Sequence, residues 1–151
     1  MITLQIDDKT VEVAEGANLL TACLEAGIYI PNLCYLEGME HPPASCRLCF
    51  VEIEGTDNPA PACKIAVERE MVVRTGTRRI RQLQKTALQL LLSVHDVDCK
   101  NCPANRNCAL QDTARFLKTA LKSGHLEVFL KATRIDRRHP RLDYYPNRCV
   151  L

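Results

Sequence analysis

The sequence lacks the features that direct a chain to or across a membrane. No apolar run reaches the ~18 residues of a transmembrane helix, and the opening segment, MITLQIDDKTVEV, has neither the basic nor the apolar region of a signal peptide. A dominant charge is also lacking, since 20 Lys and Arg residues face 18 Asp and Glu residues, which gives no indication of nucleic-acid binding. We therefore expect a cytoplasmic protein with no transmembrane segment and no nucleic-acid partner.

Cysteine, in contrast, is abundant, with nine residues in a chain of 151. In a reducing compartment, clustered cysteines indicate metal binding rather than disulfides, and an odd number argues against a complete disulfide framework. The hydrophobic fraction of 46% and the charged fraction of 25% are ordinary for a globular protein. The length suits one domain or two very small ones.

Four of the cysteines form a first constellation. Eleven residues separate Cys34 from Cys46, two separate Cys46 from Cys49, and thirteen separate Cys49 from Cys63. A [2Fe–2S] cluster needs four converging thiolates, two for each iron, and the C-x-x-C pair can approach one centre without strain. A structural zinc site is the alternative. Zinc ribbons usually bring two short-spaced cysteine pairs, however, and here only one pair is short, so the spacing favours the [2Fe–2S] cluster.

The segments around this constellation predict a small α+β domain. Alternating apolar and polar residues over 2–13 predict a β-hairpin. Asn18 is a predicted N-cap for a helix over 19–26 that Gly27 ends. Further strands are predicted over 50–53, 59–63 and 71–73, the second of them at a sheet edge because it contains prolines. Together these elements make a mixed sheet that holds one helix and ends near Thr75.

A second constellation lies between two predicted helices, an amphipathic one over 78–94 and another over 109–122. It consists of His95, Cys99, Cys102 and Cys108. Three thiolates and one imidazole can hold either zinc or a [4Fe–4S] cluster, and the spacing does not separate these alternatives. The position just after a predicted [2Fe–2S] domain favours the [4Fe–4S] cluster, because two redox centres in series can conduct electrons. A neutral imidazole in place of an anionic thiolate should raise the reduction potential of that cluster.

The remaining cysteines and histidines are interpreted as non-ligands. Cys23 falls among apolar residues of the first predicted helix and should be a small buried side chain. Cys149 has no neighbouring cysteines, so we expect it not to bind a cluster in this chain. The histidines His41, His125 and His139 are expected in loops or at the surface. The segment over 131–148 carries six basic and two acidic residues and is predicted to be a solvated tail rather than a docking surface.

In this order the two constellations resemble a known iron–sulfur module. That module opens the large peripheral-arm subunit of respiratory complex I, iron-only hydrogenases, the diaphorase-side small subunit of NAD-reducing hydrogenases and some NAD-dependent formate dehydrogenases. The resemblance covers almost the whole chain and is carried by I-P-N-L-C-Y over 30–35, S-C-R-L-C over 45–49 and C-x₅-C-A-L-Q over 102–111. It implies that the first four cysteines ligate a [2Fe–2S] cluster and that His95 with three cysteines ligates a [4Fe–4S] cluster.

The resemblance also implies a fold and a function. It implies a β-grasp ferredoxin-like domain over 1–76, a small helical [4Fe–4S] domain over 77–130, and a basic tail over 131–151. The expected function is intracellular electron transfer as a module of an NAD(P)H-, hydrogen- or formate-linked oxidoreductase, which could lie on the cytoplasmic face of a membrane-bound complex. Its partners would be flavin-, hydrogenase- or formate dehydrogenase-type subunits. A zinc-stabilised interaction module and an iron–sulfur redox sensor are the alternatives.

The chain departs from this family at its C-terminal end. There the family commonly continues from N-R-C-V into C-x-x-C-x-x-C, which binds further clusters, whereas this chain has only Cys149. The departure implies a fragment of a longer protein or a truncated member. We recognise no complete active site in the sequence, which does not name a terminal electron donor or acceptor.

Overall fold

The N-terminal hairpin forms as predicted in the computed structural model, which describes residues 1–122 and 134–148. Strand β1 (Ile2–Ile6) pairs antiparallel with β2 (Lys9–Val13), with Ile2 opposite Val13. Its apolar residues are buried and its polar residues are exposed, which is the alternation expected of a strand with one solvated face.

Three more strands complete a five-stranded mixed sheet with the order β2-β1-β5-β3-β4. They are β3 (Phe50–Ile53), β4 (Ala60–Pro61) and β5 (Val72–Arg74). Strand β5 runs parallel to β1 and antiparallel to β3. The α+β class and the ferredoxin-like fold expected from the sequence are therefore confirmed.

Helix α1 (Leu19–Glu25) is set by the two local signals that predicted it. The Asn18 side chain accepts hydrogen bonds from the N–H groups of Leu20 and Thr21, at 3.0 and 3.3 Å. At the other end Gly27 has a φ of 70°, and the Ile28 N–H donates to the Cys23 carbonyl at 2.8 Å. This is a Schellman ending, in which glycine adopts the left-handed conformation without steric cost.

The strand predicted over 59–63 is shorter than expected. Only Ala60–Pro61 pairs with β3, at the sheet edge as predicted, and Cys63 lies instead on a 3₁₀ turn over Ala62–Lys64. The Ala62 N–H still donates to the Cys49 carbonyl at 2.9 Å, and the chain turns away from the edge after this bond. In addition, the Asn18 side chain donates to the Cys63 carbonyl at 2.8 Å, so the helix cap also holds this turn.

The second part of the chain contains two helices. Helix α2 (Arg78–Ser93) begins at Thr77, whose hydroxyl accepts from the Ile80 N–H at 3.2 Å, and the prediction over 78–94 is confirmed. Helix α3 (Ala109–Phe116) is shorter than the predicted 109–122. It ends because Lys118 has a φ of 52° and the Thr119 N–H donates to the Ala114 carbonyl at 2.9 Å. The end predicted near Gly124 lies outside the described residues.

The C-terminal tail contains a hairpin that the sequence analysis missed. Strand β6 (Asp136–His139) pairs antiparallel with β7 (Leu142–Tyr144), and a 3₁₀ turn over Pro146–Arg148 follows. The hairpin is mostly exposed, as a solvated tail should be, but the final turn is half-buried. Within the described residues, no helix has the length and apolar character needed to cross a membrane.

Two hydrophobic clusters stabilise the described structure. The first lies between the sheet and α1 and includes Cys23, Cys49 and Cys63. The second joins α2 and α3 to the long cysteine loop, and it buries Cys34, Cys46 and Leu48 among the leucines of both helices. The loop that carries the first constellation is therefore packed between both parts of the chain, and this placement positions the candidate sites.

Candidate functional site

The four cysteines of the first constellation are brought together in a buried site. Cys34 and Cys46 are each 2% exposed, and Cys49 and Cys63 are each 1% exposed. The structure arranges them as two pairs. The sulfur atoms of Cys34 and Cys46 are 3.3 Å apart. Burial raises the pKa of the Cys49 thiol, and the nearby Cys63 thiol raises it further. Two pairs of thiols match the two thiolates that each iron of a [2Fe–2S] cluster requires.

The loop backbone adopts an uncommon conformation to bring these sulfurs together. Ala44 and Arg47, on either side of Cys46, have φ values of 52° and 55°. Positive φ costs free energy for any residue with a side chain, and it persists only where the surroundings enforce it. Here the enforcement comes from packing, because Ala44 and Leu48 are buried, at 4% and 0% exposure.

Backbone amides oppose the cost of burying negative charge at the first site. Burial raises the pKa of Cys34, but hydrogen bonds from the amides and side chains of Cys46 and Ser45 outweigh burial and leave that pKa lowered. Burial dominates for Cys46, whose pKa is raised although the Leu48 amide donates to its sulfur. Amides directed at thiolates are the interactions that tune iron–sulfur clusters.

Two side-chain contacts anchor the cysteine loop to the helices. The Thr21 hydroxyl on α1 lies 2.5 Å from the Tyr35 hydroxyl, next to Cys34. On α2, the Gln84 side chain is 0% exposed and donates to the Phe50 carbonyl at 3.3 Å, next to Cys49. Sequence analysis missed Gln84, although a glutamine among the inward-facing apolar positions of an amphipathic helix is a signal of a buried polar contact.

The second constellation lines a small, partly enclosed pocket, whose empty space is about 360 Å³ when the part open to solvent is included. Its wall contains all four predicted ligands, His95, Cys99, Cys102 and Cys108, together with the apolar residues Val97, Leu110 and Leu121. Each of the four has a defined local position. His95 follows the end of α2, Cys99 begins a 3₁₀ turn, Cys102 ends that turn, and Cys108 is the N-cap of α3.

The His95 ring is suited to ligation. Its Nδ1 atom is buried and has no hydrogen-bond partner within the part of the chain that the structure describes. Burial lowers the pKa of His95, and the nearby Arg148 lowers it further against the opposing effect of Asp96. The ring is therefore held in its neutral form, which is the form that binds metals.

Both donor sets fit the iron–sulfur clusters expected from the sequence. Thiolates and imidazole are the ligands of such clusters, and the cavity at the second site offers space between the four side chains. Among residues 1–122 and 134–148, no three His, Cys, Asp or Glu side chains are close enough to hold a single metal ion. At the second site the four donors line one pocket.

Three of the residues interpreted as non-ligands lie in the described part of the chain, and each has the burial or exposure that the sequence predicted. Cys23 is 0% exposed, and burial, with a smaller effect of Asp7, raises the pKa of its thiol to about 12. It is an inert apolar side chain of the first cluster. His41 and His139 are exposed. His125 and Cys149 lie outside the described residues.

We expect the Cys23→Ala variant to keep both clusters and to lose only packing. Removing one buried sulfur should lower the free energy of unfolding by roughly 1–3 kcal/mol, the usual range for core truncations. Chemical denaturation would measure this loss, and iron analysis with visible absorption would measure the clusters. A folded variant that lost the [2Fe–2S] absorption would mean that Cys23 is a ligand.

Comparison with protein families places both constellations within known iron–sulfur regions. A family described as a 2Fe-2S iron-sulfur cluster binding domain matches residues 1–78. A second, described as an NADH-ubiquinone oxidoreductase-G iron-sulfur binding region, matches residues 84–119. These matches assign a [2Fe–2S] and a [4Fe–4S] cluster to the chain.

Similar proteins are long subunits of oxidoreductases. The NADP-reducing hydrogenase subunit HndD of Solidesulfovibrio fructosivorans is 43% identical over 118 residues, which are 76% of this chain and 20% of that protein. The NADPH-Fe(3+) oxidoreductase subunit alpha of Geobacter sulfurreducens is 34% identical over 151 residues, 100% of this chain and 18% of that protein. This chain therefore spans a fifth or less of the length of these relatives.

A solved structure shares the fold over nearly the whole chain. It is a chain of the NAD+-reducing [NiFe]-hydrogenase in the H2-reduced state, with a TM-score of 0.89 and 31% sequence identity. The match covers 99% of this chain and 62% of that one.

Proposed function

Because the chain belongs to the 2Fe-2S iron-sulfur cluster binding domain family, we propose that it transfers electrons between two clusters as a module of a larger oxidoreductase. One observation carries this proposal. Cys34 and Cys46 of the first site and Cys108 of the second pack into the same hydrophobic cluster. Side chains from both sites thus adjoin one apolar region, through which an electron can pass with little water nearby.

We propose that the residues predicted from the sequence are the ligands. At the first site, Cys34 and Cys46 would hold one iron and Cys49 and Cys63 the other, which follows the pairing of the thiols. At the second site, the ligands would be His95, Cys99, Cys102 and Cys108. When bound, each cluster supplies one-electron oxidation and reduction. The chain itself holds the ligands, limits access of water and directs backbone amides at sulfur.

The proposed domain division is the one expected from the sequence, with boundaries after residues 76 and 130. A contact just before residue 76 supports the first boundary. The Thr75 N–H and hydroxyl donate to the two carboxylate oxygens of Asp7, at 2.8 and 2.6 Å, so the end of the sheet region is fastened to its N-terminal hairpin. The β-grasp domain would occupy 1–76, the helical domain 77–130 and the tail 131–151.

The parent protein is proposed to be an NAD(P)H-, hydrogen- or formate-linked oxidoreductase. The relatives described above are a hydrogenase subunit that reduces NADP, an NADPH-dependent iron(III) oxidoreductase subunit and an NAD+-reducing hydrogenase, which supports the first two donors. The partners would be the flavin- or hydrogenase-type subunits of such a complex. We also propose a cytoplasmic location, because the eight cysteines within the described residues are free thiols.

Metal analysis of the anaerobically purified chain tests this proposal. We expect about six irons per chain, two from a [2Fe–2S] and four from a [4Fe–4S] cluster, with visible absorption that dithionite bleaches. Electron paramagnetic resonance of the reduced protein should show two distinct signals. Zinc in place of iron at either site would refute that site and favour the zinc-stabilised interaction module. Two clusters that cannot be reduced reversibly would refute electron transfer.

A further inference from the structure

The last described turn of the chain closes one side of the cavity at the second site. The Asp96 N–H donates to the Asn147 carbonyl at 2.7 Å, and Arg148 lines the cavity beside the predicted ligands. This turn lies beyond both family matches, which end at residues 78 and 119. A tail that the sequence suggested was merely solvated thus contributes a side chain to the site.

Arg148 links the two carboxylates that flank Val97, in the short segment between His95 and Cys99. Its Nη2 atom lies 3.4 Å from an oxygen of Asp96 and 3.4 Å from an oxygen of Asp98. Asp98 also accepts hydrogen bonds from the Asn101 side chain, at 3.0 and 3.1 Å. Each ion pair is long and partly exposed, so neither contributes much alone. Together they connect the last described turn to both carboxylates of the segment between two predicted ligands.

The guanidinium also presents a buried donor that lacks an acceptor. Its Nε atom is buried and has no hydrogen-bond partner among the described residues. The Arg148 side chain is 21% exposed, and its guanidinium lies 4.9 Å from the centre of the Tyr145 ring, which helps to hold it in place. A buried N–H without an acceptor is costly, more so in a charged group. The acceptors that an iron–sulfur cluster offers are its sulfur atoms.

We propose that Arg148 is a positioning residue of the second site. It holds the segment between His95 and Cys99 through Asp96 and Asp98, and its Nε–H donates to a sulfur of the iron–sulfur group bound there. A positive charge and a hydrogen bond to sulfur both favour the more negative, reduced state, so Arg148 raises the reduction potential. This inference rests on the proposed function, because it requires an iron–sulfur group at this site.

The test compares Arg148→Lys and Arg148→Gln with the unaltered chain in an anaerobic redox titration followed by electron paramagnetic resonance. Lysine keeps the positive charge but lacks the Nε–H of arginine. Glutamine lacks both the Nε–H and the charge. We expect a lower [4Fe–4S] potential with lysine and a still lower one with glutamine. Iron should also be lost to a chelator severalfold faster in both variants. The [2Fe–2S] potential is an internal reference and should not move.

The matched control is Arg141→Gln, which alters an exposed arginine of the same tail and should leave both potentials unchanged. A [4Fe–4S] potential in Arg148→Lys equal to that of the unaltered chain would overturn the proposal, as would a shift of the same size in the Arg141→Gln control. Selective loss of the [4Fe–4S] cluster from both Arg148 variants, with the [2Fe–2S] cluster and the control intact, would support the positioning role. An unaltered chain without a [4Fe–4S] signal would instead refute the proposed function.

Discussion

The Cys63→Ala variant is expected to lose the whole [2Fe–2S] signal and about two irons per chain, because each iron of that cluster requires two thiolates. Cys63 is the predicted ligand that stands apart from the long loop, on a turn held by the Asn18 side chain at 2.8 Å. Its loss would leave Cys49 without its partner in a site that is 1% exposed. Iron analysis and visible absorption would measure the effect.

Cys23→Ala is the matched control for this experiment. Cys23 and Cys63 lie in the same hydrophobic cluster, at 0% and 1% exposure, so both variants make the same substitution at the same depth. General damage to the core should therefore affect them alike, whereas only Cys63→Ala should lose iron. The [4Fe–4S] signal should remain in both. A Cys63→Ala protein with all its iron would remove Cys63 from the set of ligands.

Much of the first domain could be predicted because its signals are local. Alternation of apolar and polar residues located the hairpin, and Asn18 and Gly27 fixed the two ends of α1 through contacts within a few residues. Cysteine spacing located the first site because thiolate ligation restricts the residue types more strongly than packing does. For these elements, local preference and tertiary structure agree.

The predictions failed where a contact between distant residues, rather than the local sequence pattern, determines the structure. Helix α3 was predicted too long because its apolar spacing continues through Leu117 and Leu121, which pack in the second cluster although the helix has ended. Gln84 and Arg148 act through partners 34 and about 50 residues away. Helical spacing marks Gln84 as inward-facing, but a single sequence does not name the distant partner of either residue. Cys63 was predicted as a ligand, but its 3₁₀ turn was not, because that turn depends on a hydrogen bond from the distant Asn18 side chain.

His95 is the residue on which the identity of the second site depends. The ring lies beside the cavity with a buried nitrogen that has no hydrogen-bond partner in the described structure. Asp96 and Asp98 are the carboxylates nearest to this ring in the sequence, and a carboxylate that accepts from its second nitrogen would orient it. The structure places both carboxylates beside Arg148 instead, and an acceptor for the ring's second nitrogen stays a prediction.

Replacing His95 with alanine is expected to leave one iron of the [4Fe–4S] cluster poorly held and to favour a three-iron form. Replacing it with cysteine should retain four irons if the loop adjusts, and it should lower the potential, because an anionic ligand replaces a neutral one. Iron analysis and electron paramagnetic resonance distinguish these outcomes. His139→Ala, at an exposed histidine, is the control and should behave as the unaltered chain does. If His95→Ala kept a full cluster at an unchanged potential, the fourth ligand would have to be another residue, with Cys149 and the remaining histidines as the candidates.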